Sequence, residues 1–149
     1  MATDAPSNPL SNPVTSEFNA RSFDRPRDRV APASFVGHWP DNDEVTITLT
    51  EVTLVVAIKS HCDGCREFLD ADLGEFGVPI LVVAAKDASA EWRDARQLVF
   101  VSPDALRLLD VTWPPFYVLV DPAARKVLTE GVLFGAHQVA AEIAPFLRA

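Results

Sequence analysis

The chain's two cysteines, Cys62 and Cys65, lie in a single C-x-x-C motif between two segments of different character. Residues 53–58 form a continuous apolar run, which is typical of a strand buried on both faces of a central sheet. Residues 66–76 carry large apolar side chains at helical spacing, which predicts an amphipathic helix. The motif therefore lies where a buried strand passes directly into a helix, and this arrangement indicates a fold that packs helices on a sheet.

The rest of the chain continues this alternation of strands and helices. Residues 44–50 alternate between apolar and polar side chains, which predicts a half-buried strand. Ser102 and Pro103 form a helix start, with an N-cap residue followed by a first-turn proline. The other predicted elements are a strand at 80–85, a helix at 87–97, strands at 98–101, 116–120 and 126–133, and a final helix at 137–147. This order predicts an α/β fold with a central mixed sheet and helices on both faces.

Residues 1–33 differ in composition from the rest of the chain. They are rich in Pro, Ser, Asn, Asp and Arg, and few of them are large and apolar. Such a segment cannot bury enough surface to offset its loss of chain entropy. We therefore predict a mostly disordered leader over residues 1–33 and one domain over residues 34–149.

The formal net charge of −8 limits the partners of the chain. Nucleic acids and anionic membrane surfaces attract clustered Lys and Arg, so neither is expected as a partner. The sequence also lacks an apolar run near the roughly 20 residues that a membrane helix needs, and a secretory signal in its first thirty residues. We expect a monomeric cytoplasmic protein, although a domain trimmed from a secreted or membrane-anchored precursor would look the same.

The placement of the two cysteines favours thiol chemistry. A cysteine at a helix N-terminus faces unpaired backbone N–H groups and the positive end of the helix dipole, and both stabilise the thiolate that attacks disulfides. A second cysteine one turn inside the helix is placed to attack the resulting mixed disulfide. The motif therefore predicts a thiol–disulfide oxidoreductase without a cofactor, with Cys62 as the attacking thiol and Cys65 as the resolving thiol.

Other uses of the motif remain open. Structural zinc needs four ligands, and the chain adds only three histidines to its two cysteines, with no second C-x-x-C. We therefore assign no metal ligand within one chain, but two chains could share a metal through two thiolates each. The pair could also be structurally inert, or belong to a non-catalytic binding or redox-sensing module.

A proline further along the chain adds a second feature. Pro115 begins the predicted strand 116–120 and opens the sequence Pro-Phe-Tyr-Val-Leu-Val-Asp, which ends at Asp121. With the strand–C-x-x-C–helix pattern before it, residues 50–148 resemble the thioredoxin superfamily, and within it the TlpA/ResA-like proteins and the methylamine-utilisation accessory proteins. The resemblance implies the thioredoxin fold, a cis peptide bond before Pro115, a protein disulfide as substrate and a thiol as electron donor.

The chain departs from the superfamily pattern below the cysteines. Thioredoxins have a buried Asp six residues before the first cysteine, and Val56 occupies that position here. The internal proton acceptor of the family is therefore missing, unless Lys59, Glu67 or Asp87 replaces it indirectly.

The residues beside Cys62 are also unusual. Asp63 and Gly64 separate the cysteines, and the charge of Asp63 should disfavour the Cys62 thiolate, which predicts a more reducing pair than in DsbA-like oxidants. His61 is expected to be an exposed neighbour whose protonated ring would stabilise the thiolate, and we place it among the substrate-binding residues.

The resemblance also implies a substrate-binding segment around the cis-proline. In the family, the residue before that proline pairs its backbone with the substrate, but Pro114 has no N–H and cannot make one of those hydrogen bonds. We therefore expect substrate binding by Pro114 and Pro115 to depend also on the side chains of Trp113 and Phe116.

Overall fold

The computed structural model describes residues 29–147, in which strands and helices alternate around a central sheet. The seven strands are β1 (Ser34–Gly37), β2 (Val45–Thr48), β3 (Thr53–Ile58), β4 (Ile80–Ala84), β5 (Val99–Val101), β6 (Phe116–Asp121) and β7 (Lys126–Val132). The helices are α1 (Asp63–Asp70), α2 (Pro103–Leu108) and α3 (Ala136–Leu147), with a 3₁₀ helix at Leu73–Phe76.

The central sheet has five strands in the order β5-β4-β3-β6-β7. The apolar run that forms β3 is buried along its whole length and lies in the middle, pairing parallel with β4 and antiparallel with β6. Ala57, near the end of β3, is opposite Phe116 at the start of β6, and Phe116 is opposite Val132 at the end of β7. One end of the sheet therefore carries the loop after β3, the loop before β6 and the loop after β7.

Apolar side chains cover both faces of this sheet. Val56 and its same-face neighbours pack against α1, the 3₁₀ helix and α3, while Val55 and its neighbours pack against α2 and the β1-β2 hairpin. Phe68 of α1 is fully buried, and burial of such a side chain stabilises the fold by roughly 1.5–3 kcal/mol. The predicted α/β fold, with a mixed central sheet and helices on both faces, is confirmed.

Two predicted helices differ from the structure. The predicted helix 66–76 is interrupted after Asp70, since Ala71 is extended and the Asp72 carboxylate accepts the Gly74 N–H to begin the 3₁₀ helix. The predicted helix 87–97 is a series of turns. Asp87 accepts the Ser89 N–H at 2.8 Å, and such a side-chain turn competes with a helix for the same backbone groups.

Strand β1 was not predicted. Its four residues are too few for a clear period-two pattern, and the strand is defined by antiparallel pairing with β2 and by the complete burial of Phe35.

Part of the predicted leader contacts the domain. Residues 1–28 lie outside the described residues, but residues 29–31 run beside β7, where Val30 forms a β-bridge with Lys126. The Arg29 guanidinium donates to both carboxylate oxygens of Glu130, at 2.7 and 3.0 Å, and to the Leu109 carbonyl at 2.6 Å. Among residues 29–147, no helix is long and apolar enough to cross a membrane.

Candidate functional site

Cys62 and Cys65 lie at the N-terminus of α1 and are joined in a disulfide. Cys62 is the N-cap residue: its backbone is extended, its carbonyl accepts the Arg66 N–H at 3.1 Å, and its sulfur accepts the Cys65 N–H at 3.2 Å. Cys65 is fully buried, whereas Cys62 is half-buried. Cys62 is therefore the sulfur that another molecule can reach, and Cys65 is the sulfur held behind it.

The helix end favours a thiolate at Cys62. A negative sulfur there lies at the positive end of the α1 dipole and accepts a backbone N–H of the first turn. Asp63, the next residue, is exposed and carries a negative charge that opposes this effect.

His61 and Arg66 flank the cysteines and both contact Glu91. The His61 backbone is in the left-handed region, with φ of 56°, and its N–H donates to Glu91 Oε2 at 2.9 Å. Arg66 Nη1 donates to the Glu91 carbonyl at 3.0 Å, and Arg66 Nε donates to Asp70 at 2.8 Å. The hydrogen bond that Arg66 donates to Asp70 raises the pKa of Arg66, which therefore remains protonated. Sequence analysis missed Glu91, because it lies 30 residues from His61 in the chain and belongs to no motif.

The position six residues before Cys62, where thioredoxins have a buried Asp, is apolar in this chain. Val56 is fully buried in the same cluster as Cys65. Lys59, Glu67 and Asp87 are all exposed, and within the described residues none of them has a hydrogen bond to either cysteine. The backbone hydrogen bond from Ser89 lowers the pKa of Asp87, so this carboxylate is a poor proton acceptor.

The Pro114–Pro115 peptide bond is cis, the isomer that the resemblance implies. The Pro115 carbonyl accepts the Leu133 N–H at 3.1 Å, which joins the loop before β6 to the loop after β7. Trp113, which precedes this pair of prolines, is 54% exposed.

Phe116 differs from its predicted place at the surface. Its side chain is buried in the cluster on the sheet face away from α1, so it belongs to the core and not to a surface for substrate. Phe134, which the sequence analysis missed, is 74% exposed just after β7. Its signal was a large apolar residue after the end of the predicted strand, before Gly135. The loops at this end of the sheet thus carry Cys62, Trp113 and Phe134.

No group of three or more His, Cys, Asp or Glu side chains is arranged to hold a metal ion within residues 29–147.

The parallel and antiparallel pairing around β3, with a C-x-x-C at the start of α1, defines a thioredoxin-fold domain carrying a dithiol/disulfide pair. No protein-family model matches the sequence, and a search of curated proteins finds no match. Solved structures do match.

The thioredoxin domain of a thiol-disulfide oxidoreductase from Bacteroides vulgatus aligns with a TM-score of 0.62 and 17% identity, over 83% of this chain and 99% of that chain. A thio-disulfide isomerase from Thermus thermophilus aligns with a TM-score of 0.59 and 19% identity, over 84% and 99%. Yeast Sco1 with copper bound aligns with a TM-score of 0.56 and 15% identity, over 81% and 94%. At these identities the likeness concerns the fold alone, and it confirms the predicted thioredoxin fold.

Proposed function

We propose that this protein is a thiol–disulfide oxidoreductase that acts on protein disulfides, with Cys62 as the attacking thiol and Cys65 as the resolving thiol. The observation that carries the proposal is the asymmetry of the pair, in which a half-buried sulfur at the α1 N-cap is bonded to a fully buried sulfur one turn inside. Structural neighbours that are described as a thiol-disulfide oxidoreductase and as a thio-disulfide isomerase support it.

The reaction begins from the reduced protein. The Cys62 thiolate attacks one sulfur of a substrate disulfide, which forms a mixed disulfide and releases the other substrate sulfur as a thiolate that takes a proton from water. Cys65 then loses its proton and attacks Cys62 Sγ, which releases the second substrate thiol and forms the Cys62–Cys65 disulfide. The substrate gains two electrons and two protons, and an external dithiol donor returns them to the protein.

The surroundings of the pair determine how each step proceeds. The helix N-terminus stabilises the Cys62 thiolate, while the Asp63 charge opposes it. Because Val56 supplies no buried acid, the Cys65 proton must leave to solvent or to the departing substrate thiolate.

The proposed substrate-binding segment is Trp113, Pro114 and Pro115. His61, which precedes Cys62 in the chain, is the fourth proposed substrate-binding residue. Since Pro114 lacks an N–H, backbone pairing with the substrate is reduced and the exposed Trp113 side chain contributes more of the binding. A monomer that works as a reductant in the cytoplasm fits this chemistry, because thiols are kept reduced in that compartment.

The reduction potential of Cys62/Cys65, measured by thiol alkylation across a dithiol redox buffer, tests the proposal. We expect a reversible two-electron transition, together with catalysed reduction of insulin disulfides. A Cys65→Ser variant should accumulate a mixed disulfide with substrate, whereas the matched Cys62→Ser variant should not. A pair that does not cycle would contradict the proposal.

A metal-holding or sensing module is the second candidate. The copper-bound Sco1 among the structural neighbours and the apolar Val56 position favour it. Retention of copper(I) by the reduced protein through gel filtration, without insulin turnover, would support this alternative.

A further inference from the structure

The segment between β4 and β5 contacts both ends of the C-x-x-C motif through one residue, Glu91. Its carboxylate accepts the N–H of His61, which precedes Cys62, and its backbone carbonyl accepts a hydrogen bond from Arg66, which follows Cys65. The neighbouring Trp92 is buried in the same apolar cluster as Cys65, so the segment is anchored to the core. Glu91 is therefore held in place independently of the two contacts that it makes.

The contact with His61 bears on the geometry of Cys62. His61 has a φ of 56°, and a left-handed backbone is unfavourable in a residue other than glycine. The next residue is the N-cap, so the conformation of His61 determines the direction in which the chain enters α1. A hydrogen bond that stabilises this conformation also stabilises the placement of the Cys62 sulfur at the helix N-terminus.

The negative charge of Glu91 does not itself favour the Cys62 thiolate. A carboxylate beside Cys62 opposes thiolate formation, as Asp63 does. The useful property of Glu91 is thus its ability to accept a hydrogen bond from the backbone before the cysteine.

We propose that Glu91 is a positioning residue for the Cys62 thiolate, acting through the His61 backbone without touching the sulfur or the substrate. This inference rests on the proposed function, in which Cys62 is the attacking thiol. It adds a residue from a separate segment to the dithiol site.

Two pairs of proteins matched in charge test this inference. Glu91→Gln and Glu91→Ala both lack the charge, but only Gln keeps an acceptor of the right length. Wild type and Glu91→Asp both keep the charge, but the shorter Asp withdraws the acceptor. Asp94→Ala, which removes an exposed carboxylate from the same segment, is the control. The readouts are the pH profile of Cys62 alkylation in the reduced protein and the rate of attack on a small aromatic disulfide.

We expect the alkylation midpoint to be higher in Glu91→Ala than in Glu91→Gln, and higher in Glu91→Asp than in wild type. A hydrogen bond of ordinary strength allows a shift of roughly 0.4–1 pH unit and a two- to tenfold slower attack. Asp94→Ala should not raise the midpoint. A residue with a purely structural role would lower the urea midpoint of unfolding without moving the alkylation profile.

Coinciding profiles within both pairs would overturn the inference. If Glu91→Ala does not fold, the comparison of Glu91→Asp with wild type decides the question. Failure of the proposed function is a separate outcome, because it would appear as a wild-type pair that does not cycle, whatever the alkylation profiles of the variants.

Discussion

The Pro115 carbonyl accepts a hydrogen bond from the Leu133 N–H at 3.1 Å, so the residue that precedes β6 is tied to the residue that follows β7. This contact joins two loops at the same end of the sheet as Cys62, and each loop carries an exposed aromatic side chain: Trp113 before β6 and Phe134 after β7. Exposed apolar side chains mark surfaces that contact other proteins, so we expect these two residues to contribute to the binding of a protein substrate.

Replacing Trp113 or Phe134 with Ala should therefore weaken protein-substrate binding. Each substitution removes apolar area that a protein would cover, and we expect the KM for a protein disulfide to rise about three- to tenfold. The rate with a small aromatic disulfide should change little, because that substrate covers little of the surface.

The matched control is Leu98→Ala, which removes a 69% exposed apolar side chain before β5, at the opposite edge of the sheet. An equal rise in KM for the Leu98 variant would show that the effect is not specific to the site.

Introducing an acid below the cysteines should make stability depend on pH. In Val56→Asp the carboxyl replaces a fully buried side chain, so burial raises its folded pKa above the unfolded value of about 3.9. The folded state then favours the protonated form, and stability falls as the pH rises from the unfolded pKa to the folded pKa. We expect a loss of about 2–4 kcal/mol near neutral pH, and a smaller loss near pH 4, by urea denaturation.

Val56→Asn is the control, because it has the same shape and polarity but does not titrate. Its loss of stability should be the same at both pH values. A parallel pH dependence in the Asn variant would show that the effect does not come from the new carboxyl.

Removing the charge of Asp63 should make the dithiol pair more oxidising. Asp63→Asn takes away a negative charge beside Cys62, which stabilises the thiolate of the reduced form and raises the reduction potential, by an amount on the order of 10 mV. The potential of the wild-type pair should lie below the value of about −120 mV that is typical of DsbA.

Glu51→Gln serves as the matched control, since it removes an exposed charge just before β3, at the end of the sheet away from the cysteines. The Asp63 interpretation fails if both variants shift the potential equally.

The single tyrosine of the chain should titrate late. Tyr117 is buried and its hydroxyl donates to Glu142 at 2.5 Å; burial, and then the hydrogen bond to Glu142, raise the pKa of Tyr117 well above its ordinary value. Its contribution to stability is fully present below the unfolded pKa of about 10 and is lost as the pH rises above it, since only the unfolded chain then ionises.

Tyrosinate absorbance reports this residue alone. As the pH is raised, the absorbance should increase only when the protein unfolds. Tyr117→Phe should cost about 1 kcal/mol at neutral pH and should weaken the loss of stability above pH 10. Early ionisation of the folded protein would contradict this prediction.

The sequence predicted the parts of the site that depend on local order. Cys62 lies at an N-cap because the apolar strand β3 ends just before it and α1 begins just after it. Both elements are recognisable from the residues next to the motif. Local order did not reveal which face of the sheet the Phe116 side chain occupies, so the sequence analysis placed it among the substrate-binding residues. A strand that is apolar on both faces has no alternation to reveal which face a residue occupies, and Phe116 packs away from α1.

Contacts between segments that are distant in the chain could not be predicted from the sequence for a different reason. The hydrogen bond from His61 to Glu91 depends on how the segment between β4 and β5 folds over α1. That segment was predicted to be helical, and the turn at Asp87 together with the burial of Trp92 gives it another course.

The position of residues 29–31 beside β7 bears on how much of that edge of the sheet is open to other chains. β7 is an edge strand of the central sheet, and the backbone of Arg29 and Ala31 pairs with part of that edge. At the other edge, His38 exchanges two backbone hydrogen bonds with Val101 of β5. An open edge invites a strand from another molecule. A chain shortened to begin at Ser34 would keep every residue of the dithiol site but would expose the β7 edge to self-association.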